Sequence, residues 1–357
     1  MKAKYLFILS LLVFSLWGCE KSEVEPTPGP KPTAPTEDYQ YKIPVVFHVL
    51  YSDKNNKYQY VDKSWLPKLL AICNQLYANK FDNGDTGKKG VNVNVEFVLA
   101  TTDPQGNQLA EPGVNRVQWA TPIMDCRTFM NESNQTNAAL LWDLNRYVNV
   151  VVYTFTDERV LGISHIPYAS STYPLDGLKN GNYYYNNPKT TYPHCVSINN
   201  KYIYDVPQYG YYSTSDVTAT LAHELGHYLG LFHAFGASED GKGNQIDWRT
   251  DTDYCEDTPN YDRSAYEEWL NRYVVTTPAA ERKYSEMIKR TSSTGQQFDA
   301  RNLMDYSFCW SDEFTAEQRN RIRHVLAYSP LIPGFRYGAP DTRAMTEAEI
   351  PPIRSIE

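Results

Sequence analysis

The sequence is short of positive charge. Its 34 Lys and Arg face 42 Asp and Glu, a formal net charge of −8. A chain with no basic surplus lacks the electrostatic footprint of a nucleic-acid binder. Cysteine is also scarce: six residues in 357 are too few for a disulfide-stapled mini-scaffold. Long apolar runs are missing too. Beyond the first 19 residues, nothing approaches the ~18 consecutive apolar positions of a membrane helix. What the chain has in quantity is tyrosine, 29 against 13 Phe, within a 41% apolar composition that excludes wholesale disorder. The length suits one large domain or two ordinary ones.

Residues 1–19 read MKAKYLFILSLLVFSLWGC, with Lys2 and Lys4 ahead of an apolar stretch from Tyr5 to Trp17. That is the pattern of an export signal, too short to span a bilayer comfortably. Its end, Leu16-Trp17-Gly18-Cys19, resembles a bacterial lipoprotein signal, whose cysteine is lipidated and opens the mature chain. We therefore expect a signal over 1–18 and a lipid anchor on Cys19. The protein is then exported to the cell envelope with the membrane as partner; plain secretion is the alternative. Residues 19–40 are rich in Pro, Thr and Glu and read as an extended tether. So short a leader has no room for a folded pro-domain, and an enzyme made without a latent form is expected.

The stretch Ile43–Tyr51 is almost continuously apolar, as a strand buried on both faces would be. Ser64 opens a helix that puts Leu66, Leu69, Leu70, Cys73, Leu76 and Tyr77 on one face, with Cys73 a buried thiol. Val91, Val93, Val95 and Phe97 alternate like a half-exposed strand. A helix over Asn137–Leu144 and a strand over Val148–Phe155 follow. This order predicts an α/β half around a mixed sheet. Residues 164–212 are dense in Tyr, Asn, Pro and Gly and read as irregular loops and a short strand pinned by tyrosines, with an aromatic carbohydrate-binding face as the alternative. Residues 261–290 suggest two amphipathic helices broken at Thr277-Pro278. Thr315 with Gln318 forms a capping box opening a last helix to about Tyr328. From 339 to 357 a loose tail is expected.

Chemistry concentrates in His223-Glu224-Leu225-Gly226-His227-Tyr228-Leu229-Gly230-Leu231-Phe232-His233. Ser213, Ser215 or Asp216 can cap a helix just before it. His223 and His227, four apart, stand on one helix face, where both imidazoles reach a single Zn²⁺. Glu224, one position further round, can take a proton from a water on that ion. Gly230 ends the helix, because glycine enters the left-handed region cheaply. The chain can then turn back and bring up His233. Three nitrogens leave a fourth tetrahedral position for water, the pattern of a catalytic zinc. Three of the chain's seven histidines fall in this stretch, which makes an accidental cluster a poor explanation.

HELGHYLGLFH resembles the zinc signature of the metzincin metallopeptidases. Asn302-Leu303-Met304-Asp305-Tyr306 resembles their Met-turn. With Cys255-Glu256-Asp257-Thr258-Pro259, Cys309 and Phe314-Thr315-Ala316-Glu317-Gln318, the combination is similar to the pappalysin or cytophagalysin family. The resemblance implies an α+β metzincin-like fold over residues 41–338. Its upper subdomain, about 41–230, would hold a mixed twisted sheet and the active-site helix. Its lower one, about 231–338, would be irregular and helical. It also implies a zinc endopeptidase with ligands His223, His227 and His233, general base Glu224, and Met304 as an apolar floor. Tyr306 would approach the oxyanion as a second catalytic group. The resemblance further suggests a Cys255–Cys309 disulfide; Cys126–Cys195 pairs only by elimination.

Acidic residues crowd between Glu239 and Asp257 (Glu239, Asp240, Asp247, Asp251, Asp253, Glu256, Asp257). Such a loop suits Ca²⁺, which some members of the resembled family bind, or is simply solvated. His48, His165, His194 and His324 read as structural. The partner expected is a peptide or protein substrate met by a monomer, laid against an edge strand near His165–Tyr168. Two rival functions remain: a surface module that keeps the zinc fold for binding, and a zinc amidase acting on non-protein amides.

Overall fold

A computed structural model describes residues 38–81, 87–131, 133–181, 190–206, 215–236 and 246–333, and the backbone of 353–356. The expected signal, Cys19 and most of the tether lie outside the described residues. In chain order the first half contains β1 (Tyr41–Tyr51), α1 (Trp65–Tyr77), β2 (Val95–Leu99), β3 (Val114–Gln118), β4 (Ile123–Met124), α2 (Cys126–Asn131), α3 (Gln135–Ala139) and β5 (Val148–Phe155). Then come β6 (Gly162–His165), β7 (Ala169–Ser170), β8 (Asn180–Gly181), β9 (Val196–Asn199) and α4 (Val217–Tyr228). The remainder holds α5 (Arg263–Thr276), α6 (Tyr284–Met287), β10 (Lys289–Thr291), β11 (Gln297–Asp299), α7 (Ala316–Tyr328) and β12 (Ile353–Ile356).

The main sheet runs β12-β6-β9-β5-β1-β2, with β3 also on β1 and β4 on β5. All of its pairs are parallel except those of β6, which is antiparallel to β9 and to β12. This is the mixed sheet of an α+β fold. The apolar run of β1 is explained by cover on both faces. Ile43, Val45, Phe47 and Val49 join Val150 and Val152 against Leu66, Leu70 and Cys73 of α1 and Leu221 and Leu225 of α4. Leu50, Val151 and Tyr153 pack on the other face against Phe129 and Met130. The Tyr77 hydroxyl of α1 donates to the Ala222 carbonyl (3.1 Å), tying α4 to the upper layer.

Three elements differ from expectation. The tail expected to be loose from 339 contains β12, held as a strand by its main-chain pairing with β6. Strand β2 begins at Val95 because Asn94 sits at φ +59°, which breaks the extended run from Val91. Helix α3 covers Gln135–Ala139 and stops short of Leu144, because the Trp142 N–H bonds instead to the Asn149 side chain (2.8 Å). The break at Thr277-Pro278 is present: α5 ends at Thr276, and a 3-10 turn (Ala279–Glu281) and the one-turn α6 follow in place of a second amphipathic helix. Among the described residues no helix is long and apolar enough to cross a membrane.

Candidate active site

Asp216 is the cap of α4, accepting from the Thr218 N–H at 2.8 Å. Ser213 lies outside the described residues. The helix ends as a Schellman turn, with Leu231 N–H on the Gly226 carbonyl and Gly230 N–H on that of His227, both at 2.9 Å. Gly230 takes φ +91°, and a Cβ there would also meet Val325 at 2.7 Å. This reversal swings His233 back onto the helix.

The three imidazoles converge. Ring centroids lie 4.6 Å apart for His223 and His227, 4.7 Å for His227 and His233, and 5.3 Å for His223 and His233. Their available ligand atoms all lie within 4.8 Å of one another, the only such metal-capable group among the described residues. His223 Nδ1 donates to the Leu303 carbonyl (2.7 Å) and His227 Nδ1 to that of Leu231 (2.8 Å). Those bonds set the tautomer and leave each Nε2 lone pair facing inward. Nε2 of His227 stands 3.0 Å from Nε2 of His233, while His223 Nε2 is buried with no hydrogen-bond partner. Three ring nitrogens gathered this closely, one of them buried with no partner, form a donor set that fits a small tetrahedral cation such as zinc. Burial lowers the His223 pKa to about 4, so the ring is neutral at ordinary pH, as a ligand must be. Glu224 is fully buried beside them.

The Met-turn supports this cluster. Met304 is fully buried. Its Sδ lies 2.6 Å from where a Cβ on Gly226 would stand, so the sulfur fills the space that glycine leaves on α4. The turn is held from two sides. Asn302 and Gln318 exchange amide hydrogen bonds (2.9 and 3.0 Å), and Asn302 Oδ1 also accepts from the Met304 N–H (2.9 Å). Gln318 belongs to the capping box of α7, present as expected. Asp305 is buried, accepts from the Tyr261 hydroxyl (2.5 Å), and pairs with Arg290 at 3.8 Å. Burial pushes the Asp305 carboxyl up, while the Arg290 guanidinium pulls it back. Tyr306 reaches the metal side: its ring lies 4.4 Å from His233, and the Arg263 guanidinium stacks on it at 4.3 Å.

The structure shows no Cys255–Cys309 disulfide, the bridge expected; both residues are buried. The surroundings of Cys309 Sγ are already satisfied, by the Asn302 carbonyl (3.4 Å) and the Ser311 N–H (3.3 Å). Cys126 and Cys195 form no disulfide either; Cys195 Sγ contacts Met130 Sδ at 3.5 Å instead. What ties the Asp257-Thr258-Pro259 segment down is polar. The Asp257 carboxylate accepts from the Glu317 N–H at the start of α7 (3.0 Å), and the Thr258 hydroxyl donates to Asp253 (2.7 Å). That use of Asp253 also bears on calcium. Glu239 and Asp240 lie outside the described residues, and the acidic residues that are described form no metal-capable group.

His48 is structural, bonded to Asn149 (2.8 Å) and Asn115 (2.9 Å). His165 and His194 are not isolated from each other: they stack at 5.2 Å beside Tyr192. His324 bonds to the Tyr173 carbonyl at 3.1 Å. Sequence reasoning missed the two backbone carbonyls that orient the ligands, and it missed Arg290. It also passed over Gly226, whose signal was a glycine inside a helix, where alanine is about 1 kcal/mol better. Gly162 went unnoticed as well. A Cβ there would lie 2.7 Å from Glu224 Cγ, so β6 crosses directly over that carboxylate.

Solved structures with a similar fold include mirolysin bound to a compound, at 24% identity over 81% of this chain and 92% of that one, TM-score 0.53. Tannerella forsythia promirolysin with a Glu-to-Ala substitution matches at 23%, over 83% of both chains, TM-score 0.54. Mature T. forsythia mirolysin with a cleaved peptide matches at 25%, over 80% and 90%, TM-score 0.50. No curated protein matches. The family model described as pregnancy-associated plasma protein-A matches residues 131–327, more than half of the sequence and all of the site just described. The chain therefore belongs to that peptidase family, the pappalysins, and is a metzincin-type metallopeptidase.

Proposed function

We propose that the protein is a zinc-dependent endopeptidase with Glu224 as its general base. The observation that carries this reading is the inward-facing Nε2 set of His223, His227 and His233 beside a fully buried glutamate. His223, His227 and His233 would hold a zinc ion, which would supply Lewis acidity to the attacking water and to the scissile carbonyl. Glu224 takes the proton of the attacking water and delivers it to the leaving amine. Tyr306, its ring against His233, meets the carbonyl oxygen as negative charge develops there. Met304 and the Leu303 and Leu231 carbonyls hold the imidazoles in register and exclude water from beneath them. The substrate lies extended along β6. A peptide substrate agrees with the cleaved peptide named in the mature mirolysin complex. Export and a lipid on Cys19 complete the proposal, supported by residues 1–19.

The test compares wild type with Glu224→Gln on an unfolded protein substrate, with metal analysis of both. One zinc per chain is expected in each, with hydrolysis reduced about 10²–10⁴-fold in the variant. Equal hydrolysis by the two proteins, or no stoichiometric zinc in wild type, overturns the reading.

A further inference from the structure

Strand β6 has two edges. One is paired to β9; the other is taken by β12, the only strand on it among the described residues. The pairing is antiparallel, with Ile353 opposite His165, Arg354 opposite Ser164, Ser355 opposite Ile163 and Ile356 opposite Gly162. The last pair matters most, because Gly162 is the residue pressed onto Glu224. β12 also lies against α4, the helix that carries His223, Glu224 and His227. An extended backbone therefore runs along the rim of the site and reaches the level of the general base.

A peptide substrate needs that same edge. Strand addition recognises a backbone through main-chain hydrogen bonds, whatever its side chains. The edge of β6 accepts one strand at a time, so the segment and a substrate exclude each other. We infer that residues 353–356, Ile-Arg-Ser-Ile, are an intramolecular ligand of the substrate's strand position and close the cleft until they are displaced. The occupancy stands on the pairing alone; its effect on activity rests on the peptidase reading. Being on the same chain gives the segment an effective concentration on the order of mM. Against a strand affinity on the order of 0.1 mM, that raises the apparent KM for a competing peptide about tenfold.

The experiment compares the full chain with two variants: Arg354→Pro combined with Ser355→Pro, and a chain stopped after residue 338. Proline cannot donate to the ladder, so the first keeps the chain length and removes the strand. Three readouts are taken. The first is amide exchange in residues 162–165. The second is KM and kcat on a fluorogenic peptide. The third is binding of a dye-labelled peptide of residues 351–357, measured with Glu224→Ala added so that nothing is cut. In both variants we expect faster exchange in β6, KM lower by about tenfold at unchanged kcat, and binding of the labelled peptide that the full chain does not show. Variants that hydrolyse peptides with the full chain's KM and do not bind the labelled peptide overturn the inference and leave the peptidase reading standing. If neither the full chain nor the variants hydrolyse peptides, but the variants alone bind the label, the peptidase reading falls and the strand assignment holds.

Discussion

Alanine at Gly226 should act with opposite sign in two backgrounds. Glycine within a helix costs about 1 kcal/mol relative to alanine. Taken alone, then, Gly226→Ala in the last turn of α4 stabilises. In the wild type its new methyl meets Met304 Sδ at 2.6 Å, inside any permitted contact, so the fully buried Met304 side chain must shift. Overpacking of that kind costs about 1–3 kcal/mol. The net effect is a loss of up to about 2 kcal/mol in the wild-type background. Met304→Ala removes the sulfur and by itself costs about 2–5 kcal/mol as a cavity. Adding Gly226→Ala to it should now stabilise by about 1 kcal/mol, because the helix gain is kept and the clash is gone. The assay is the urea midpoint of the four metal-free proteins. Metal affinity gives a second readout. Displacing Met304 moves the turn whose Leu303 carbonyl orients His223, and losing such support weakens binding about 10–100-fold. If Gly226→Ala shifts the midpoint the same way in both backgrounds, the sulfur is not what that glycine accommodates.

Asp216→Asn keeps the cap of α4, since asparagine caps as well as aspartate. Burial raises the Asp216 carboxyl from 3.8 to about 6, so the folded state holds its proton more tightly than the unfolded one. Stability from this group is present below about pH 4 and is lost as pH rises through about 6. The variant should match wild type at pH 4 and exceed it at pH 8 by on the order of 2 kcal/mol, and a constant difference across that range would count against the assignment. Asp305→Ala strands the Arg290 charge and removes the acceptor of Tyr261, at about 3–5 kcal/mol in thermal or urea unfolding. Adding Arg290→Met should recover part of that loss; no recovery means the two side chains are not a coupled pair.

Much of the site was legible because local rules govern it. The four-residue spacing of His223 and His227 is helix periodicity, Gly230 is a left-handed turn, and Thr315 with Gln318 is a cap. Val148–Phe155 read as a strand because its β-branched run is long and unbroken. The parts that did not read are those carried by groups that every residue has. The acceptors that fix the two ligand tautomers are backbone carbonyls, so no residue type marks Leu303 or Leu231. The pairing of 353–356 with β6 is likewise a main-chain event between segments almost 200 positions apart. The structure shows no Cys255–Cys309 disulfide. The Asp257-Thr258-Pro259 segment and the Met-turn, which that bridge would have tied, meet instead through α7.

Asp257 takes the Glu317 N–H at the start of that helix, Gln318 one residue later grips Asn302, and Asn302 positions the Met304 N–H. Three motifs spread over 62 positions are one clamp closing on His223. The Asn302 links are partly buried and the Asp257–Glu317 link is exposed; each hydrogen bond is worth about 1 kcal/mol singly, and more where its loss leaves a buried partner unsatisfied. The motifs therefore recur together in the chain for a mechanical reason. Loosening any one of them releases the carbonyl that aims the first imidazole, even where the altered residue never approaches the metal site.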